Sequence, residues 1–458
     1  SGPRKALGLD LGLNYARLGH LEGGELRLVP LRGSPYLPAC VAARSDGHLV
    51  VGSRARAIGR DAPGRAVAPL ALLRAIAKTR RGEAAEGVAL SADDAGRLVV
   101  MLGDRRFDAA DILVTFLRAI RSAYIEHLGH DHVRLMIAVP PDFDDLSAGA
   151  LRSACREAGI ETFRLEPAPD ALLRAYRLDE NPVEAALTVD VGLSRATLAV
   201  ARRGAAGLRV VTVRERSDLS ARTIDERIAR LALDAFAEAT GEDHRGDPSA
   251  TAQTAAAIEA ARPELRRSPH IDVKVNLPAL GGAGGVAPER SIRIPRTRIE
   301  EETEDLVAEL CREVQSLLRA SELSPPDVGA VILAGSAGAF PPLAESLGHL
   351  FGREPLTSVP PVQAVLLGLA RSGVAVERRE SSSRPDALAA SVGIELPGGR
   401  FRPLVHAGTQ LPAELVRQFP TTREGQTEVV FDFHQGDAEV VRLCHPLGRL
   451  RLTRLPKK

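Results

Sequence analysis

Residues 6–21, ALGLDLGLNYARLGHL, and residues 186–201, ALTVDVGLSRATLAVA, are two versions of one pattern. Each opens with Ala-Leu, sets an Asp before an apolar residue and Gly-Leu, and returns to Ala after two variable positions. The aspartates, Asp10 and Asp190, stand 180 residues apart. Apolar residues that alternate or run together around a Gly-containing turn predict a strand, a tight turn and a second strand. A chain that builds this unit twice is expected to have two similar α/β halves.

The segments between the copies support that expectation. VRLMIAVPPDF (133–143) reads as a buried strand stopped by Pro-Pro. In the segment before it, Ile112, Phe116, Ile120 and Tyr124 recur every four residues, which predicts one apolar helix face ending at Gly129. SAGALRSACREAG reads as a helix after the strand, followed by helices at about 221–240, 250–266 and 297–321 and a buried strand at 329–335. ERRESSSRPD (377–386) is polar, Ser-rich and closed by Pro, and reads as a linker. Beyond it, SVGIEL, FRPLVHA, LVRQFPTT, TEVVFDFHQGDAEVVRLC and LGRLRLTRL predict an all-β tail.

Composition removes several function classes. Lys plus Arg total 60 and Asp plus Glu 59, so no net charge draws the chain to nucleic acid or membrane. Trp is absent and aromatics are 3%, which argues against base-stacking platforms. No apolar run reaches the length of a membrane span. Cys40, Cys155, Cys311 and Cys444 are scattered, which fits free thiols in a reducing cytoplasm. The opening Ser-Gly without Met reads as a tag scar, and no signal sequence is expected. His127, His130, Asp131 and His132 lie close together; a metal site is one reading and a helix end entering a loop the simpler one.

A hairpin turn of small residues exposes backbone N–H groups that hold phosphate oxygens. A carboxylate just before the turn orders the waters of a Mg²⁺ ion that bridges those phosphates. Two such hairpins facing one another grip a triphosphate from both sides. One Asp-x-Gly copy alone reads as a plain turn; two copies in matching strand contexts predict a two-lobed nucleotide clamp, with Asp10 and Asp190 as its metal-facing carboxylates.

The order of further motifs resembles the 70-kilodalton heat-shock chaperone (DnaK) family, within the actin and sugar-kinase superfamily. AVPPDFDD (138–145) resembles the family's Val-Pro-Ala-x-Phe-Asn-Asp, and LEPAPDALLRAYRL (165–178) its Asn-Glu-Pro-Thr segment. VGAVILAGSAGAFPPL (328–343) resembles Val-Ile-Leu-Val-Gly-Gly-x-Thr-Arg-x-Pro, and LFGREP resembles Phe-Phe-Gly-Lys-Glu-Pro. SVGIEL and FHQGD resemble two strands of the peptide-binding sandwich. The resemblance implies an α/β, actin-like ATPase fold over about 4–375, with lobe I at about 4–182, lobe II at about 186–358 and a closing helix at about 361–373. A polar linker at 376–390 and a partial β-sandwich at 391–458 would follow, covering about the first five strands of the family's sandwich.

The resemblance also assigns roles. Asp10, Glu166 and Asp190 would surround Mg²⁺ and the attacking water. Gly12, Gly192 and Gly335 would form phosphate turns, and Glu259 and Arg262 would face the adenosine of ATP or ADP. The catalytic lysine falls at Ala77 by direct match, or at Lys78 if the helix slips by one residue. Other positions depart from the family. Leu13 and Asn14 replace two hydroxyl residues, Leu193 and Ser194 replace glycines, Arg195 replaces Thr, and Ala339 replaces the adenine-stacking Arg. Arg195 would then sit where a phosphate or the metal would. Phe419, Thr422, Val429 and Phe431 map to the peptide pocket, and the last strand would offer an open edge to a protein, a peptide or a second copy. Three readings follow: a pseudo-ATPase interaction module with weak or no nucleotide binding, an ATP-dependent chaperone for unfolded segments, and a sugar-kinase or filament-forming cousin. The C-terminal strands favour the first two.

Overall fold

The computed structural model describes residues 4–83, 88–94, 97–178, 180–204, 207–275, 277, 290–381, 391–407, 409, 415–419, 425–436 and 438–453. The chain divides into two compact units, Ser1–Ala375 and Val376–Lys458.

In the first unit the repeated sequence is a repeated structure. Strand Lys5–Leu11 turns back as Tyr15–Glu22, and Ala185–Val191 turns back as Ala196–Gly204. The Gly12 N–H donates to Tyr15 O at 3.0 Å, and the Gly192 N–H donates to Arg195 O at 2.9 Å. The same bond thus closes both turns. Each first strand pairs in parallel on its other side, with Val133–Val139 in one lobe and Ala330–Ala334 in the other. Asp10 lies opposite Ala138, and Asp190 opposite Ala334. Lobe I orders its main sheet as Phe163–Pro167, Val133–Val139, Lys5–Leu11, Tyr15–Glu22 and Glu25–Leu28. Lobe II orders Gly207–Arg216, Ala196–Gly204, Ala185–Val191 and Ala330–Ala334.

Helices cover these sheets for reasons visible in the sequence. In Ala109–Leu128 the Asp108 side chain caps the start by accepting from the Ala110 N–H, and Gly129 ends it at φ 75°. The predicted stripe of Ile112, Phe116, Ile120 and Tyr124 is buried in the lobe I core. Asp131, from the His-rich segment, accepts a bond from the Tyr124 hydroxyl at 2.9 Å and pairs with Arg121. Ser220 caps Ala221–Thr240, which buries Ile224, Ile228, Leu233 and Phe236 in the lobe II core. The helix expected to run to 266 is α only over Pro248–Ala261; Pro263 brings no N–H, and the chain tightens into a 3-10 turn over Arg262–Arg266. The helix expected to end near 373 spans Ala364–Ser381, since 376–381 hold good helix formers and no Pro.

The lobes share a third core at their base, where Ala138 and Ala171 meet Ala186, Ile332 and Leu367. Small side chains let the backbones approach closely. A Cβ built on Gly368 would lie 1.8 Å from the Ala171 carbonyl oxygen.

The second unit is a four-stranded antiparallel sheet ordered Arg400–Val405, Val392–Leu396, Glu428–Gln435 and His445–Thr453. Two expected strands differ. LVRQF (415–419) is irregular, and no strand among the described residues pairs with it; Val416 is 89% exposed. The segment after FHQGD turns through a 3-10 stretch at Val441–Leu443 instead of extending. Among the described residues no helix is long and apolar enough to cross a membrane.

Gly368→Ala has no room at the helix crossing, and overpacking a close contact costs about 3 kcal/mol. Gly149→Ala lies mid-helix with nothing within 4 Å of the new Cβ, so it stabilises by up to ~1 kcal/mol through helix propensity. Urea unfolding of both variants checks the sign and the contrast.

Candidate functional site

The two repeated turns meet at one cavity of about 170 Å³. Asp10, Gly12, Asp190, Gly192, Arg195 and Gly335 all line it. Each aspartate is the next-to-last residue of its strand, so strand register alone brings both carboxylates to the cleft floor. Arg17 lies across the hairpin from Asp10, with 3.8 Å between guanidinium and carboxylate. Burial pushes the Asp10 carboxyl above the ordinary range, against the pull of Arg17. Burial, with the neighbouring Asp10 charge, pushes Asp190 up to about 7. Gly335 enters at φ 85°, and a Cβ there would lie 2.3 Å from Asp190 Oδ1. Only glycine allows the third turn to come so near.

Such a pair of carboxylates suits a divalent cation held directly or through water, because a cation relieves the repulsion that raises their proton affinity. Gly335 leaves backbone space beside it. This half of the site fits Mg²⁺, with Asp10 and Asp190 as the residues that would hold it.

The side of the cavity that the sequence expects to face phosphate is arranged differently. Asn14 Nδ2 donates to Ser194 Oγ at 2.5 Å, joining the two turns to each other. Arg222 donates to Asn14 Oδ1 at 3.1 Å, and Arg56 to the Asn14 carbonyl. Arg195 is held by Glu215 at 2.5 Å, and Arg74 reaches the same Glu215 oxygen at 3.4 Å and Asp142 at 2.7 Å. Leu13 packs on the lobe I core and Leu193 on the lobe II core. No residue from Leu13 to Asn14 or Leu193 to Ser194 has positive φ, so these substitutions are unstrained, contrary to what leucine at glycine positions would suggest. The space that remains is below the ~300 Å³ lower end for ligand pockets.

Other expected residues lie away from this cavity. Glu166 is buried, pairs with Arg174 and accepts from Ser372 Oγ at 3.0 Å. Burial raises its proton affinity, against Arg174. Lys78 does not line the cavity; Arg74, one turn earlier on helix Pro69–Arg80, does. Arg262 is buried, with its guanidinium on Asp225 at 2.6 Å and on the Ser336 carbonyl at 2.9 Å, and Glu259 is half-buried on the preceding turn. Neither lines the cavity. The sequence reading missed Arg17, Arg74 and Glu215. Their signals were period: Arg17 faces Asp10 across the first hairpin, Glu215 faces Thr197 in the second sheet, and Arg74 is four residues before Lys78.

In the second unit, the Phe419 and Phe431 rings meet at a tilt, with 4.9 Å between ring centroids. Val429 lies opposite Leu452 and Phe431 opposite Leu450, so one sheet face carries a run of half-exposed apolar side chains. Thr422 lies outside the described residues.

Asp190 keeps its proton to about pH 7 in the folded chain, whereas an unfolded Asp releases it near 3.8. Between those values the folded state binds the extra proton. Stability therefore falls as pH rises through that window, by up to ~1.4 kcal/mol per pH unit, and this contribution is level above it. Denaturant unfolding from pH 4.5 to 7.5 should show that slope, and Asp190→Asn should remove its one-proton share.

Comparison with known proteins follows the same lines. The chain is 28% identical to the chaperone protein DnaK of Halobacterium salinarum over 453 residues, 99% of this chain and 69% of that protein. The DnaK of a second strain of that organism matches to the same extent. The Hsp70 protein family matches residues 6–458, a span that takes in both hairpins, the glycine turn at 335 and the β-rich second unit. The chain belongs to the Hsp70 family, and its paired, hairpin-built lobes are that family's actin-like ATPase fold.

Proposed function

We propose that this Hsp70-family protein is a cytoplasmic protein-interaction module with a degenerate ATPase site, which binds Mg·ATP or Mg·ADP weakly or not at all and turns ATP over negligibly. The observation that carries this reading is the hydrogen bond between Asn14 and Ser194. Two side chains that differ from the family pattern at the phosphate-facing positions are bonded to each other. Glu215 engages Arg195 in the same way. A nucleotide must first break these contacts and also lacks the donors they replaced. Each lost charge-assisted hydrogen bond costs ~1.5–3 kcal/mol, so two such losses lower affinity by roughly two to four orders of magnitude. Phosphoryl transfer depends on positioning and electrostatics, so turnover suffers more than binding. Glu166, expected to orient water, is instead engaged by Arg174 and Ser372.

The second unit supplies the interaction surface in this reading. Strand His445–Thr453 is a sheet edge, exposed along its whole length. Its Leu450 and Leu452 continue the apolar face of Val429 and Phe431. An extended segment added to that edge would gain main-chain hydrogen bonds and apolar contact together. The occupant is a protein or peptide, or the same strand of a second copy. Four free cysteines agree with a reducing cytoplasm.

Calorimetry with Mg·ATP tests the site: no saturable heat is expected up to roughly 0.1 mM. Micromolar affinity with hydrolysis that Asp10→Asn abolishes would overturn the reading in favour of an active chaperone. Sedimentation tests the edge. A concentration-dependent dimer is expected, lost when Leu450→Asp and Leu452→Asp are combined. A monomer that holds an extended apolar peptide tightly and releases it on adding ATP would sink the docking-edge idea.

A further inference from the structure

The cleft residues also bond the two lobes to each other. Asn14 comes from the lobe I turn and Ser194 from the lobe II turn, and they are bonded at 2.5 Å. Arg222, at the start of a lobe II helix, donates to the other end of the Asn14 amide at 3.1 Å. The carboxamide is therefore held from lobe II through both its nitrogen and its oxygen. Glu215, from the lobe II sheet, collects Arg195 of its own lobe and Arg74 of lobe I on one carboxylate. Thr197, beside it in the sheet, donates to the other Glu215 oxygen at 3.4 Å. Arg74 is in turn fixed to lobe I by Asp142 at 2.7 Å, and the Asn14 backbone by Arg56.

Asn14, Arg74, Ser194, Arg195 and Glu215 line the cavity between the lobes. The shared apolar core of Ala138, Ala171, Ala186 and Leu367 sits at its base. A two-lobed body joined by an apolar hinge opens when nothing ties the far side, because the base contacts alone leave the rotation soft. Here the far side is tied partly by sheltered groups: the exposed fraction is 18% for both Arg74 and Glu215 and 29% for Arg195, while Arg222 is exposed. In that setting hydrogen-bonded charges are screened less than surface pairs.

We propose that Asn14–Ser194–Arg222 and Arg74–Glu215–Arg195 form a ligand-independent latch, which holds the two lobes closed and makes Asn14 and Glu215 the residues that decide what the cleft admits. The latch rests on the reading of the site as degenerate and adds its consequence: the first unit has one closed state instead of a nucleotide-dependent pair. Closure arises from differential contacts made by the protein itself, so no ligand is needed to shift the population.

The test uses the full chain in two variants, Asn14→Ala with Glu215→Ala, and Asn14→Asp. The second variant keeps the oxygen that accepts from Arg222, replaces the amide donor by an oxygen to which the Ser194 hydroxyl can donate in turn, and reports whether position 14 tolerates change at all. Amide hydrogen exchange is read at residues 12–15 and 192–195, and the distance between spin labels, one on each lobe, is read alongside. Without nucleotide, the wild-type chain is expected to show slow exchange and one short distance. The double variant should exchange about tenfold or more faster at both turns, with a longer or broader distance, since local opening replaces closure. Asn14→Asp should stay close to wild type. Unchanged exchange and distance in a folded double variant would overturn the latch, as would an open wild-type cleft that closes only on adding Mg·ATP. Calorimetry on the wild type decides the degenerate-site reading separately: tight Mg·ATP binding ends that reading, whereas the exchange data judge the latch in either case.

Discussion

Two carboxylates at the facing ends of two hairpins set the terms for the rest of this molecule. Asp10 and Asp190 approach one another because each ends a strand at the same register against a parallel neighbour. Two buried like charges need a cation, a proton or a nearby guanidinium. Here the Asp190 proton affinity rises to about 7, and Arg17 stands beside Asp10. The glycine at 335 follows from the same constraint, since any Cβ there would strike the Asp190 carboxylate.

Around that pair, the residues of the two turns bond to the protein itself. Leucines in the two turns are absorbed by the core of their own lobe, and the polar residues beside them bond across the gap. The arginine-rich character of the chain appears here in a specific form. Arg74 of lobe I and Arg222 of lobe II reach across the gap to one carboxylate and one carboxamide, and Arg195 meets that carboxylate from its own lobe. Arg262, whose position suggested a nucleotide contact, is neutralised by Asp225 deep in lobe II. Charge in this protein is used mainly to join its own parts.

The second unit has a different economy. Its sheet buries little apolar surface among the described residues, with Ile394 and Cys444 the buried apolar side chains there. Leu447, Leu450 and Leu452 remain exposed on an edge strand. An exposed apolar edge is a pairing surface, whether used for a partner or guarded against one. Arg449–Asp432 and Arg451–Glu428 pairs on the opposite face strengthen the strand pairing and keep that face polar.

Most of the fold was legible in the sequence. The repeat announced two similar halves, helix stripes such as Ile112–Phe116–Ile120–Tyr124 announced their buried faces, and Asp10, Asp190, Gly12, Gly192 and Gly335 were named before their meeting point was known. Local periodicity carries this information because strand alternation and helix pitch are short-range properties. Glu166, Lys78, Glu259 and Arg262 were placed by family position, yet none lines the cavity; Glu166 is paired with Arg174 and Arg262 with Asp225, partners that only the folded chain brings together. LVRQF was read as a strand from its composition, but a strand needs a neighbour, and none is beside it among the described residues. Two carboxylate-bearing hairpins could be read from residue order, since their pattern is local. That Asn14 meets Ser194 and that Arg74 meets Glu215 followed from the folded chain alone, because those contacts join residues far apart in sequence, and their partners are selected by how the two lobes close on their shared core.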